Sequence, residues 1–197
     1  MIDLALIGLT RFLVGGHPVW RGLSQDVRPR LYFANHSSHL DTLLIWAALP
    51  DALRGVTHPV AAADYWGRGD LRSLIATRAL DAVLIDRSGG KRDETLEPLR
   101  EKLRAGRSLI IFPEGTRSDG LLPGPFKSGL YQLACDFPDV ELAPVYLKNP
   151  SRAFPKGALL PVPISCEVHF GAPIARINGE DKAGFLERAR SAVAGLS

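Results

Sequence analysis

Apolar residues fall along this chain in short blocks parted by turn-forming residues, and the length and make-up of each block decide how it reads. Arg30 to Ala34, Thr57 to Ala62, Ala82 to Ile85, Ser108 to Phe112, Val140 to Leu147 and Ile164 to Phe170 are short runs rich in aliphatic, β-branched and aromatic residues. Runs of that kind, bounded by Gly, Pro, Asp or Asn, predict strands. Leu40 to Leu49 (ended by Pro50), Leu71 to Arg78, Glu94 to Arg104, Lys127 to Cys135 and Asp181 to Leu196 carry helical spacing. Pro98 stands early enough in its helix to be a first-turn proline or a kink, and Gly106 supplies the stop. Pro113 to Pro125 and Pro150 to Pro163 read as loops, and Gly15-Gly16 as a break before a polar stretch running through Arg28. Strands alternating with helices predict an α/β fold, a mixed and mostly parallel sheet flanked by helices.

Composition narrows this picture. A chain of 197 residues suits one well-cored domain spanning residues 1–197, with no internal repeat and no linker to mark a boundary. The hydrophobic fraction of 46% and mean hydropathy of +0.03 exclude disorder and low complexity as classes. A net charge of +3 with Arg outnumbering Lys permits an anionic partner, and no basic tail of the nucleic-acid-binding kind is present. Cys135 and Cys166 lie in apolar surroundings without metal-type spacing, which suits buried thiols in a reducing compartment. His17, His58 and His169 have no partner pattern, so no metal is expected.

Met1 to Val14 is mostly apolar but is interrupted by Asp3 and Arg11, and it is shorter than the roughly 20 residues of a spanning helix. It lacks a basic leader and a small-residue cleavage site. Two readings of residues 1–15 stand side by side. They form an amphipathic helix lying in a membrane interface with Leu9, Phe12 and Leu13 inserted, or a helix packed on the domain.

The chemistry gathers where strands end. Asn35-His36-Ser37-Ser38-His39-Leu40-Asp41 follows one strand, Asp86-Arg87 a second, and Glu114-Gly115-Thr116-Arg117 a third. Open α/β sheets bind ligands beyond the carboxyl ends of their strands, so the three clusters share a site if their strands are parallel and near neighbours. On one continuous helix His36 and Asp41 would point roughly 140° apart. They meet only if His36 lies in the turn and Asp41 in the first helical turn. An ionised Asp41 would then fix the imidazole tautomer and leave the other ring nitrogen free to take a proton. The plain alternative is a helix start, since Ser38 and Asp41 have the S-x-x-D spacing of a capping box and His39 suits a helix entrance. Arg87 and Arg117, each at a glycine-containing turn, could grip a phosphate from two sides.

Four ordered motifs carry a resemblance. Asn35-His36 through Asp41, Ile85-Asp86-Arg87, Phe112 to Ser118 and Ala143-Pro144-Val145 resemble those of the glycerolipid acyltransferases, over roughly residues 30 to 147. In length and motif wording the chain is similar to the bacterial lysophosphatidic acid acyltransferases of that family. The resemblance implies His36 as general base on the acceptor hydroxyl and Asp41 as its orienting carboxylate. It implies Arg87, Glu114, Gly115, Thr116 and Arg117 as acceptor or phosphate contacts, with Lys127 and Pro144 on the donor side. Asp81 and Leu84 depart from the glycine and phenylalanine usual in the second motif.

The implied activity moves a fatty acyl group from an acyl thioester to the free hydroxyl of a lysophospholipid, with lysophosphatidate as acceptor and phosphatidate as product. The thioester, of coenzyme A or acyl carrier protein, is a co-substrate, and no resident cofactor is expected. The protein would work peripherally at the cytoplasmic face of a membrane, without nucleic acid. Two other readings remain open at this point: the same chemistry on a lyso-ornithine lipid, another lysolipid or a glycolipid, and a non-catalytic lipid-binding protein of the membrane surface.

Overall fold

The computed structural model describes residues 8, 10, 11, 15–62, 80–86, 92–118, 122–153, 162 and 164–197. Its seven strands, β1 (Gly15–Arg21), β2 (Arg30–Ala34), β3 (Thr57–Ala62), β4 (Val83–Ile85), β5 (Ser108–Ile111), β6 (Glu141–Lys148) and β7 (Cys166–Gly171), form one sheet in the order β1-β7-β6-β2-β5-β3-β4. From β6 to β4 all neighbours are parallel; β7 runs antiparallel to β6 and parallel to β1. The α/β sheet is thus mixed and mostly parallel, as the alternation of blocks predicts. Among the described residues after β1, the helices are α1 (Asp41–Ala48), α2 (Asp51–Arg54), α3 (Arg92–Arg104), α4 (Gly129–Asp136), α5 (Pro150–Ala153) and α6 (Lys182–Ala194).

Residue alternation along β2 divides the core in two. Tyr32 and Ala34 face a layer in which α1 contributes Leu44, Ile45 and Ala48. Leu31 and Phe33 face the opposite layer, with Leu96, Leu99 and Leu103 of α3, Leu130 and Leu133 of α4, and Phe185, Ala189 and Val193 of α6. Both faces of a parallel sheet must be covered, which is why the strands read as nearly continuous apolar runs. The chain leaves β2 through α1 on one face toward β3, and leaves β5 through α4 on the other face toward β6. The β2/β5 pair is therefore the switch point of the sheet, where connections depart in opposite directions and a crevice opens.

Several expectations need correction. Gly15-Gly16 and the residues after it are the edge strand β1, whose one strand neighbour among the described residues is β7; an edge tolerates Pro18 and a glycine-rich start. Pro98 is the seventh residue of α3, so it is not a first-turn proline. Cys166 is buried, but Cys135 is only half-buried. The predicted helix Leu71 to Arg78 lies outside the described residues, as do Leu9, Phe12 and Leu13. Asp81 takes φ of 43°, a left-handed conformation that accounts for glycine at this place in related motifs. Its carboxylate sits 3.0 Å from His58 Nδ1 and 3.2 Å from Lys102 Nζ.

Candidate active site

At the end of β2 the ladder to β6 stops at Ala34–Val145, and the Asn35 side chain continues it. Its amide donates to the Leu147 carbonyl at 3.1 Å and its oxygen accepts from the Leu147 N–H at 2.7 Å. The chain can then turn out of the sheet at His36 without leaving these β6 backbone groups unpaired.

His36 Nδ1 lies 2.8 Å from Asp41 Oδ2. The same oxygen accepts the backbone N–H groups of Ser37 at 2.6 Å and Ser38 at 2.8 Å. Asp41 is completely buried at the first residue of α1. The capping box expected from the S-x-x-D spacing is not formed, since the N-cap is Leu40 and Ser38 Oγ accepts from the Leu40 N–H at 3.3 Å; one Asp41 oxygen instead ties down the turn and holds the imidazole as well. Because a carboxylate only accepts, Nδ1 carries the proton and Nε2 of the neutral ring is a free base. The Phe112 ring stacks on the imidazole, with centroids 4.3 Å apart and planes 21° from parallel.

The loop after β5, on the adjacent parallel strand, is folded over this turn. Glu114 is buried; its Oε1 accepts from the His36 N–H at 2.8 Å and its Oε2 from the Gly124 N–H at 2.9 Å. Ser118 N–H donates to the His36 carbonyl at 2.8 Å. Gly115 adopts φ of 69°, and a Cβ there would come within 2.8 Å of Lys127 Cε and 2.9 Å of Cδ. The left-handed backbone is what favours glycine here, and the Lys127 stem crossing above it would have to swing aside for a side chain. Arg117 Nη1 contacts His39 Nε2, so His39 accepts from the guanidinium instead of serving only at the helix entrance.

A cavity of about 1020 Å³ opens here. Its rim carries His36, His39, Thr116, Arg117 and Lys127, and its interior runs between the sheet and α3/α4 along Ile111, Leu96, Leu99, Leu130 and Leu133. One end is cationic and the other apolar, a shape that fits an amphiphile with an anionic head.

Of the residues singled out from the sequence, His36, Gly115, Thr116, Arg117 and Lys127 line the cavity together, with Asp41 directly behind His36. Lys127 stands over Gly115 on the same rim as Arg117. Pro144 is not brought to the cavity; it is buried within β6 opposite Phe33, one residue before pairing to β7 begins at Val145. Arg87 lies outside the described residues. Phe112, His39 and the apolar interior were not singled out as functional from sequence; Phe112 and His39 lie inside the motifs, but only the fold shows what each touches.

Comparison with known proteins gives a consistent picture. A family model described as Acyltransferase matches residues 22–148. The chain is 29% identical over 175 residues to a 1-acyl-sn-glycerol-3-phosphate acyltransferase of Limnanthes alba, covering 82% of this chain and 59% of that one. It is 31% identical over 136 residues to the protein of the same name from Helicobacter pylori, covering 66% of this chain and 53% of the relative. The chain therefore spans a little over half the length of these relatives. Among solved structures, the 1-acyl-sn-glycerophosphate (LPA) acyltransferase PlsC of Thermotoga maritima superposes with a TM-score of 0.71 at 19% identity, over 99% of this chain and 78% of that one, a likeness of fold.

Proposed function

We propose, from the premise that this chain belongs to the acyltransferase family whose model it matches over residues 22–148, that it moves a fatty acyl group from a thioester to the free hydroxyl of a lysophospholipid, with lysophosphatidate as acceptor. The observation that carries this reading is an Asp41-held His36, its Nε2 without a partner among the described residues, at the rim of a cavity that is cationic outside and apolar within. His36 Nε2 takes the proton of the acceptor hydroxyl, whose oxygen adds to the thioester carbonyl. Collapse of the tetrahedral intermediate expels a thiolate, to which His36 returns the proton. Asp41 stabilises the imidazolium between the two transfers. No covalent acyl-enzyme is needed, and Ser128 and Cys135 take no part.

Arg117 suits the acceptor phosphate, and Lys127, expected on the donor side, shares its rim and suits the same anion, with Arg87 as a further candidate. The thioester, of coenzyme A or acyl carrier protein, would meet the acceptor at the rim. The setting proposed is peripheral, at the cytoplasmic face of a membrane. No described helix is long and apolar enough to cross one, and Leu122, two residues before the Gly124 that bonds Glu114, is 53% exposed.

Purified protein given lysophosphatidate and acyl-CoA should release free thiol and form phosphatidate, and His36→Ala should abolish both while the far-ultraviolet dichroism is unchanged. Near-normal turnover in that variant would remove His36 from the chemistry. Arg117→Gln should raise KM for lysophosphatidate; an unchanged KM would favour an acceptor without a phosphate.

A further inference from the structure

The loop from Phe112 to Ser118 touches residue 36 on three sides. Glu114 Oε1 holds its N–H at 2.8 Å, the Ser118 N–H holds its carbonyl at 2.8 Å, and the Phe112 ring covers its imidazole. Glu114 is the unusual member. It is only 5% exposed, and both of its oxygens are occupied by backbone N–H donors from different segments, His36 and Gly124. Pro113 and Gly115 on either side line the cavity, but Glu114 is not part of the lining.

We propose that Glu114 is a positioning residue for His36 and makes no contact with the acceptor. The inference rests on the acyl-transfer reading above. Asp41 fixes the rotation of the imidazole through Nδ1, but where the ring sits in the crevice depends on the backbone of residue 36. A buried carboxylate accepting two N–H groups grips that backbone through charge-assisted hydrogen bonds, stronger than neutral ones. Proton removal needs the base within about 2.6–3.2 Å of the hydroxyl oxygen. A misplacement of about 1 Å costs on the order of 10²-fold in rate. The Glu114 bridge therefore ties the Gly124 segment to the catalytic base.

Glu114→Gln tests this directly. Glutamine has the same length but one acceptor oxygen, so its NH2 must face either the His36 or the Gly124 N–H, and one of the two bonds is lost. The expected result for the full chain with lysophosphatidate and acyl-CoA is a fall in kcat of about 10- to 100-fold. KM for lysophosphatidate should stay within about twofold, and the solvent deuterium isotope effect on kcat should rise as proton removal becomes limiting. Gly124→Ala is the second variant. Its Cβ would lie 3.0 Å from Glu114 Oε2, and residue 124 is not part of the cavity lining, so the same pattern should appear at smaller amplitude. A rise in KM with kcat retained would make Glu114 an acceptor contact and overturn the proposal. So would a fall in kcat with an unchanged isotope effect, which marks only a loss of folded enzyme. Wild-type protein inactive toward every lysolipid acceptor would instead sink the acyl-transfer reading on which it rests.

Discussion

Replacing Asp41 by asparagine removes a charge from behind His36 while leaving its shape in place. Asp41 Oδ2 accepts three hydrogen bonds, from His36 Nδ1 and from the Ser37 and Ser38 N–H groups, and the amide oxygen of the substituted side chain can occupy the same point. The helix start is kept and the fold should survive. What is lost is the attraction between a carboxylate and the imidazolium that the proposed mechanism forms in its transition state. At the observed 2.8 Å and an effective dielectric of about 20, that attraction is about 6 kcal/mol. The His36 side chain is 23% exposed, so solvent screening brings the figure to about 3–5 kcal/mol. At about 1.4 kcal/mol per decade, kcat should fall between about 10²- and 10⁴-fold. Asp41 is wholly buried and outside the cavity lining, so KM for either substrate should hardly move. The assay is thiol release at saturating lysophosphatidate and acyl-CoA, with a urea melt to compare stabilities. A variant that keeps more than about a tenth of wild-type kcat, or whose defect is confined to KM, would refute the dyad as drawn.

Two further predictions concern stability and reactivity. Asp81→Gly and Asp81→Ala both delete the carboxylate near His58 and Lys102, so their difference isolates the left-handed backbone: the alanine variant should be less stable by roughly 1 kcal/mol in urea unfolding, and equal midpoints would count against strain at this position. Burial, helped by the charge of Asp41, pushes the Cys166 thiol up to about 11. Iodoacetamide at about pH 8.5, the ordinary cysteine value, should therefore alkylate Cys135 alone in the native protein and both cysteines in denaturant, and modification of native Cys166 at a comparable rate would contradict its burial.

Most of the sheet is legible in the sequence because its strands beyond β1 are short apolar runs, with β2, β5, β6 and β7 buried on both faces, a signal that survives without knowledge of their partners. β1 is the exception. Gly15, Gly16 and Pro18 look like a break, and only the neighbouring β7 makes an edge strand of them. Within the site, His36 and Asp41 could be paired from sequence because the turn between them is short and both carry chemistry in their side chains. The bonds of Glu114 could not be read in that way, since its partners are backbone N–H groups that every residue but proline offers. Pro144 was expected at the donor side because it belongs to a recognisable motif, yet motif wording does not separate a residue that packs from one that touches substrate. In β6 it packs. The contact of His39 with Arg117 joins residues 78 positions apart, and local spacing says nothing at that range.

The place of β2 in the sheet sets when the proposed catalytic centre can come into being. β2 is made early in the chain, but both of its neighbours come late: Leu31 pairs with Leu109 and Arg30 with Glu141. The groups that hold His36 by its backbone, Glu114 and Ser118, arrive with the first of these neighbours, and the partner of Asn35, Leu147, with the second. Contacts between such distant positions are slow to close, because the loop entropy is lost before the pairing energy is gained. A nascent chain that has emerged only through α1 therefore carries the histidine and aspartate of the first motif without the groups that hold them in place. Competence arrives together with β5 and β6, near the end of the sheet's assembly.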